Sequence, residues 1–494
     1  MTLVHRILFP EPIETLDAYV KARGGRALEA LDRLDAEAVI ALLEESGLQG
    51  RGGAGFPTGV KWRTLRDAHA PHAASSVVVN GAEGEPGTFK DRTILRNDPY
   101  QVIEGAVIAA RVIGADEVVF GLKASFGPEL ARLRAALEEV RAEGWLDGLD
   151  VRVLEGPDEY LYGEETALLE VADGRFPFPR IAPPFRRGLH ESTVDGETPG
   201  DERETNLSAD VEMVGAGEAT PALVENVETL ANVAHVVARG PSWFRTEGTD
   251  ASPGTVVCTV TGAVGHAAVG EVLMGTPLRE VLEEIGGPPP PGGWKAVLAG
   301  VSNAVITADQ LDVPVSYEGL SSIGAGLGSA GFLVYGEGDD MVGLAAGVSS
   351  FLAVESCGQC RPCKVDGLRI AELLTKVAAS QADERDVAEV HDRLRTVTDG
   401  ARCYLATQQQ VVVGSLVGTF ADEVEAHLAA TAPAVEPTLV AELRDIVDET
   451  AVWDERHREK QPDWSYDPEW SGAAPVERFA EHRPGQELPL EPDA

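Results

Sequence analysis

No apolar run in the 494-residue chain approaches the roughly 20 residues that a membrane-spanning helix needs, so direct membrane insertion is not expected. The opening Met1-Thr2-Leu3-Val4-His5-Arg6-Ile7 soon meets Pro10, Glu11 and Pro12 and carries no signal-peptide core. Cysteine is scarce: five in 494 residues is no disulfide framework. Basic residues are scarce as well, with Lys+Arg 41 against Asp+Glu 81 and a net charge of −40. A surface of that sign repels phosphate backbones and anionic lipid, which speaks against nucleic acid as a partner. The chain reads as cytoplasmic, with a peripheral place on the inner face of the membrane open to it through a complex. Its 44% hydrophobic and 25% charged residues are those of a globular protein, and its length implies about three domains.

Three of the five cysteines fall in one short stretch, Ser356-Cys357-Gly358-Gln359-Cys360-Arg361-Pro362-Cys363, and Cys403 follows later. Thiolates at i, i+3 and i+6 fold round one corner and can converge on an inorganic cube, with a distal cysteine as fourth ligand. Zinc ribbons bring two separated Cys-x-x-Cys knuckles, and a redox dithiol needs one pair. The spacing therefore points to a 4Fe-4S cluster, with a structural zinc or uninvolved thiols as the alternatives. Cys258 sits in an alternating strand and is expected simply to pack.

Taken from the start, residues 14 to 46 repeat apolar side chains near the helical period. Gly50-Arg51-Gly52-Gly53-Ala54-Gly55-Phe56-Pro57-Thr58-Gly59-Val60-Lys61-Trp62 follows, glycine-rich enough for backbone N–H groups to approach a phosphate. No Gly-Lys-Ser/Thr closes it, so it is neither a Walker loop nor a dinucleotide fingerprint, and a plain surface turn is the alternative. Strands at 76–80, 117–122 and 151–154 alternate with helices, one of them capped by Asp98 with Pro99 at its first position. That alternation implies a parallel sheet whose ligand crevice lies at the strands' carboxyl ends. The glutamates of Glu83-Gly84-Glu85-Pro86 and Gly163-Glu164-Glu165-Thr166 can meet there, or remain a solvated loop and a charged helix start. Residues 186–220 read as a long polar surface insertion, and Ala222 to Leu230 as the start of another helix. From Gly254 the pattern turns to period two in a β-β-α-β order, then becomes helical over 340–430. The end from 434 reads as largely disordered, although Trp453, Trp464, Tyr466 and Trp470 suggest that it docks on its own chain or on a partner.

The ordered set of motifs resembles the NADH- and FMN-binding flavoprotein subunit of respiratory complex I, also found in NAD-reducing hydrogenases and NAD-dependent formate dehydrogenases. The motifs are Gly50 to Trp62, Glu83 to Thr88, Tyr160 before Gly163-Glu164-Glu165-Thr166, Asn226 to Leu230, and the cysteines. The resemblance covers residues 3 to about 430. It implies an α/β multidomain fold: an N-terminal helical segment (1–45), a Rossmann-like parallel-sheet FMN/NADH domain (46–250), an SLBB-type β-grasp domain (251–338), a helical bundle with an iron-sulfur cluster (339–432) and an acidic tail (433–494). It also implies hydride transfer from NADH to FMN and single-electron transfer through the cluster to a partner, an iron-sulfur subunit of the 2Fe-2S type. By resemblance, Arg51, Gly52, Gly53, Lys61, Asn80, Tyr160, Gly163, Asn226 and Thr229 hold FMN, with Glu83 and Glu164 in the cofactor-binding set. Glu85 and Glu165 border the nicotinamide, and Phe56 and Phe185 stack on the adenine. Cys357, Cys360, Cys363 and Cys403 ligate the cluster.

Four departures stand out. The family commonly has an aspartate where Ala82 stands, an aromatic at Thr64, a lysine at Ala182 and an asparagine at Glu225. Most fall on the dinucleotide side, where a lost stack or cation weakens binding by about 1–2 kcal/mol each. A flavin and iron-sulfur subunit with another electron donor, or an assembly subunit with a structural cluster, is the competing expectation.

Overall fold

The computed structural model describes residues 3–68, 75–189 and 220–480. Most of the expected insertion, and the last part of the tail, lie outside these residues. The expected N-terminal helix is three short ones, Leu16–Lys21, Arg26–Leu31 and Ala36–Ser46. Gly25, at φ +80°, interrupts them, and the Thr15 and Asp35 side chains start the first and third by accepting from Ala18 N and Ala38 N.

The strands β1 (Ser76–Asn80), β2 (Glu117–Lys123), β3 (Asp150–Gly156) and β4 (Ala222–Asn226) form one parallel sheet in the order β3-β2-β1-β4. Here the sequence expectation is corrected: Ala222–Asn226 is a strand, paired in register with Ser76–Asn80, and the helix begins only at Val227. Its three apolar residues, Ala222, Leu223 and Val224, are too few for a period to separate strand from helix, and burial on both faces of a parallel sheet favours the strand. A second helix that the pattern missed, Lys90–Asn97, opens on Lys90, Asp91 and Arg92, all buried. Charges in those positions erase the apolar repeat that would have shown it. Asp98 caps Pro99–Ile113 as expected, accepting from Tyr100 N at 3.1 Å.

The strands β5 (Thr255–Gly262), β6 (Ala268–Leu273), β7 (Trp294–Ala299), β8 (Ile306–Thr307) and β9 (Gly331–Gly336) make a mixed sheet in the order β6-β5-β9-β7-β8. The Leu278–Gly286 helix packs on it. Cys258 lies fully buried on β5, as expected of a packing residue. Beyond it, Met341–Glu355, Arg361–Ala378 and Glu384–Thr396 build a helical bundle with the run from Leu405 to Leu428, which has a π-turn at Gln409–Val413.

The C-terminal segment is ordered at least to residue 480 and docks on its own chain, correcting the reading of a disordered end. Its hairpin β10 (Leu443–Val447) and β11 (Thr450–Trp453) receives Arg92, which donates to Leu443 O at 2.8 Å and Arg444 O at 2.6 Å. Trp464 is buried and donates from Nε1 to Val354 O at 3.1 Å, while Phe479 stacks on Phe176 at 3.9 Å between centroids. These aromatics bury the apolar area that lets an acidic, proline-rich strap stay put.

Candidate functional site

In the parallel sheet the chain runs from β1 outward to β2 and β3, then returns to place β4 on the other side of β1. The switch point therefore lies between β1 and β4, where open sheets of this kind bind ligands. Asn80 and Asn226 are paired residues at the carboxyl ends of these two strands. Asn80 donates from Nδ2 to Gly163 O at 2.7 Å. Asn226 caps the Val227–Arg239 helix through Oδ1, which accepts from Glu228 N at 3.0 Å and Thr229 N at 3.4 Å. The glycine-rich loop closes over this helix start, with Arg51 N donating to Thr229 Oγ1 at 2.8 Å. A Cβ on Gly52 would lie 3.3 Å from that of Asn226, and one on Gly163 would lie 2.8 Å from Ala82 O. Gly53 sits at φ +125°, which a side chain would strain.

Beneath the crevice lies a buried set of charges, three of which the sequence did not reveal. Lys90 Nζ sits 2.8 Å from Asp91 Oδ1 and 2.9 Å from Glu228 Oε2. Glu228 Oε1 accepts from Val257 N at 2.9 Å and lies 3.9 Å from Arg51 Nε, which is buried without a hydrogen-bond partner among the described residues. Glu83 accepts from Asp91 N and Arg92 N at the start of the Lys90–Asn97 helix, and burial, with Asp91 beside it, pushes its carboxyl up to about 7. Lys90, Asp91 and Glu228 had no signal beyond a charged helix start.

Lys61 projects from the Thr58–Ala68 helix and donates to Val224 O at 2.7 Å and Glu165 Oε2 at 3.1 Å. Burial alone would lower its pKa, but Glu225 and Glu165 outweigh it and raise it. Glu225 is buried, accepts from Trp62 Nε1 at 3.1 Å, and is pushed up by burial against the pull of Lys61. Glu164 caps its own helix, accepting from Thr166 N and Ala167 N. Glu85 reaches across to the mixed sheet: Oε1 accepts from Val301 N at 2.7 Å and Ser302 Oγ at 2.5 Å, and Oε2 from Tyr160 at 2.5 Å. Gln408 donates to both Tyr160 and Ser302, at 2.6 and 2.8 Å. Phe56 is 52% exposed on the glycine-rich loop, and Phe185 is half-buried against the core. The two rings form no stacked pair with each other.

A few residues away, Cys357, Cys360, Cys363 and Cys403 together line a recess of about 260 Å³, its open mouth included, with Leu161, Pro179 and Leu405. Among the described residues no three ligating side chains gather on a single ion position. Four sulfurs ringed round a recess suit a multi-iron cube better than one tetrahedral ion with bonds of about 2.3 Å. Polar hydrogens point at the sulfurs: Arg402 N lies 3.3 Å from Cys360 and Gln359 Nε2 3.6 Å from Cys357. Lys364 pins the loop by donating to Ala353 O, Val354 O and Ser356 O, and burial lowers its pKa to about 8. Burial pushes the Cys363 thiol up to about 11 and raises Cys357 and Cys403 as well, so iron must displace their protons.

Residues 43–235 match the Nuo51 FMN-binding domain, and residues 343–427 match the NADH-ubiquinone oxidoreductase-F iron-sulfur binding region. An NADH-quinone oxidoreductase subunit of Rhizobium meliloti (strain 1021) is 35% identical over 428 residues, 84% of this chain and 94% of its own. The chain belongs to the NADH-quinone oxidoreductase F family. The NADP-reducing hydrogenase subunit HndC of Solidesulfovibrio fructosivorans is 32% identical over 84% of this chain and 81% of its own. Among solved structures, an NAD+-reducing [NiFe]-hydrogenase in the H2-reduced state superposes with a TM-score of 0.68 at 30% identity. That comparison covers 85% of this chain and 66% of the hydrogenase chain.

For a member of this family, the crevice fits a flavin mononucleotide by its chemistry. Glycines leave room at three points, the Val227–Arg239 helix starts at the switch point, and Arg51 has an unspent buried N–H. The departures are placed as follows. Thr64 is exposed and bonds its own helix at Val60 O, Ala82 is buried, and Glu225 stands against Lys61 and Trp62 inside the crevice.

Proposed function

We propose that this chain oxidises NADH at the β1–β4 crevice and passes electrons through a 4Fe-4S cluster in the cysteine recess to a partner subunit. The observation that carries this reading is the Tyr160–Gly163 turn. Its Gly163 carbonyl is held by Asn80 in the crevice, while its Leu161 side chain lines the cysteine recess. One four-residue element thus borders both sites, which is the proximity that electron transfer requires. When bound, FMN takes a hydride from the dinucleotide and gives up electrons one at a time.

The chain's own residues then bind and orient. Arg51, Gly52, Gly53, Lys61, Asn80, Tyr160, Gly163, Asn226 and Thr229 hold the flavin, and Glu83 and Glu164 fix the helix starts around it. Glu85 and Glu165 border the nicotinamide, and Phe56 and Phe185 border the adenine. Cys357, Cys360, Cys363 and Cys403 ligate the cluster, and the N–H groups at Arg402 and Gln359 stabilise sulfur charge. We read the mixed sheet at 251–338 as an SLBB-type β-grasp domain, which supplies Val301 and Ser302 to Glu85. The other boundaries fall at 45, 250 and 432. The remaining cysteine, Cys258, is buried in a strand, so a partner with a 2Fe-2S centre carries electrons onward, in a cytoplasmic complex.

A second reading keeps the flavin and cluster but uses another donor. Lys61 held by Glu165, and Glu225 beside it, add negative charge where an anionic dinucleotide would lie. Adding NADH anaerobically to the flavin- and iron-loaded protein decides between them. Rapid bleaching of the flavin supports NADH. A flavin reduced by dithionite but not by NADH supports the second donor, and a protein with iron and sulfide but no flavin overturns both.

A further inference from the structure

The far end of the Val227–Arg239 helix lies about 18 Å from its crevice end. There a recess of about 930 Å³, its mouth included, opens between this helix and the N-terminal helices. It is lined by Phe9, Tyr19, Arg23, Arg26, Arg239 and Trp243.

Three arginines facing one cavity are unexpected in a chain of net charge −40. Cations on so acidic a surface would ordinarily be matched with its many carboxylates. These are not: no ion pair or side-chain hydrogen bond joins Arg23, Arg26 or Arg239 to any described residue. Arg239 only stacks on Trp243, 4.5 Å from the ring centre. The one carboxylate in the wall, Glu104, is spent elsewhere, accepting from Tyr19 Oη at 2.7 Å, Gly25 N and Ala27 N at 2.9 Å and Leu28 N at 3.3 Å. His235, also in the wall, is kept neutral by burial and meets Gln101 Oε1 at 3.2 Å. Nearby Arg6 is matched by Glu247. Partial burial first, and then the guanidiniums of Arg6, Arg23 and Arg26, hold Arg239 below the usual arginine range.

We propose that this recess binds a small polyphosphate-bearing anion, outside the flavin and cluster sites. Guanidiniums are matched to phosphate oxygens by their planar, forked donors. The recess is of the size that holds a small ligand. Phosphate groups could come from inorganic polyphosphate or from a nucleotide, whose base would meet the half-buried Trp243 at the recess wall.

The test is isothermal titration calorimetry of sodium tripolyphosphate, and separately of ATP, into the flavin- and cluster-loaded protein and its Arg23→Gln/Arg26→Gln/Arg239→Gln variant. The three side chains are exposed, so circular dichroism and the melting temperature should match the parent. The expected result is saturable tripolyphosphate binding that falls at least about tenfold in the variant. It should also weaken steeply between about 50 and 200 mM salt. ATP binding more tightly than tripolyphosphate, with the same loss in the variant, identifies a nucleotide as the occupant; equal affinity identifies the phosphate chain alone. Absence of binding, or equal binding by both proteins, overturns the proposal. So does loss in the variant of polyglutamate binding only, since the recess would then be a docking face for an acidic protein segment.

Discussion

The β1–β4 crevice and the cysteine recess share the Tyr160–Gly163 turn yet are built on opposite principles. The crevice draws its groups from at least five separated stretches of chain, and its charges already neutralise one another: Lys90 with Asp91 and Glu228, Lys61 with Glu165. The recess takes three of its four sulfurs from seven consecutive residues and sets them among apolar neighbours such as Leu161, Pro179 and Leu405. Burial there raises the thiols instead of ionising them. One site is therefore preformed in its electrostatics and waits for a shape; the other is preformed in shape and waits for a charge. The first should survive loss of its ligand far better than the second.

The sharpest way to break this comparison is Cys363→Ala. If the recess is held together by its metal, the variant loses the broad iron-sulfur absorbance and reduces a one-electron protein acceptor at least about a hundredfold more slowly. The crevice should be unaffected, so NADH still bleaches the flavin. Loss of flavin bleaching as well would mean that the two sites are one cooperative unit.

Next in size is Lys90→Met, which strikes the crevice's own neutralisation. Lys90 is fully buried, and removing it leaves Asp91 and Glu228 facing each other with Glu83 nearby. Breaking one partner from a buried set costs about 3–5 kcal/mol. Urea unfolding should report that loss, with weaker flavin retention, while the iron-sulfur signal per folded molecule stays constant.

A gentler probe of the same network is pH. Burial raises the folded-state pKa of Glu83 to about 7 from an ordinary value of 4.5. Between those values the folded protein holds a proton that the unfolded chain releases, so this group makes stability fall as pH rises, with the full loss reached above about 7. In the flavin-free protein, Glu83→Gln should melt progressively higher relative to its parent from pH 4.5 to about 7, with a constant difference above that. A difference independent of pH would show that Glu83 is already ionised in the fold.

The same contrast governs what is legible in the sequence. The recess was legible because its ligands lie in one run of sequence, where spacing alone carries geometry. The parallel sheet was legible through strand and helix periods, except where Ala222–Asn226 was too short to have one and where the charged Lys90–Asn97 helix buried what a surface helix would expose. For the crevice, Arg51 stood out in the glycine-rich loop, but Asn80 and Asn226 were found only through resemblance, because their meeting is a product of strand order. Lys90, Glu228, Ser302 and Gln408 were missed for the same reason: each looks like an ordinary polar residue until β5, β7 and the bundle fold against the crevice. The ordered strap to residue 480 was foreshadowed by its tryptophans alone, since charge and proline argued the other way.

The smallest expected effect falls on the crevice's lip. Phe56 is 52% exposed on the glycine-rich loop and carries little of the core, so Phe56→Ala should leave the melting temperature within about 1 °C of the parent. If its ring stacks on the adenine of NADH, its loss should raise KM by about threefold to tenfold, the worth of one aromatic stack, with kcat unchanged. Thr64 offers no second ring on the neighbouring helix, so the whole stacking contribution on this side rests on Phe56. A fall in kcat instead would place Phe56 against the reacting ring. An unchanged KM would remove it from the dinucleotide site and strengthen the case for a different donor.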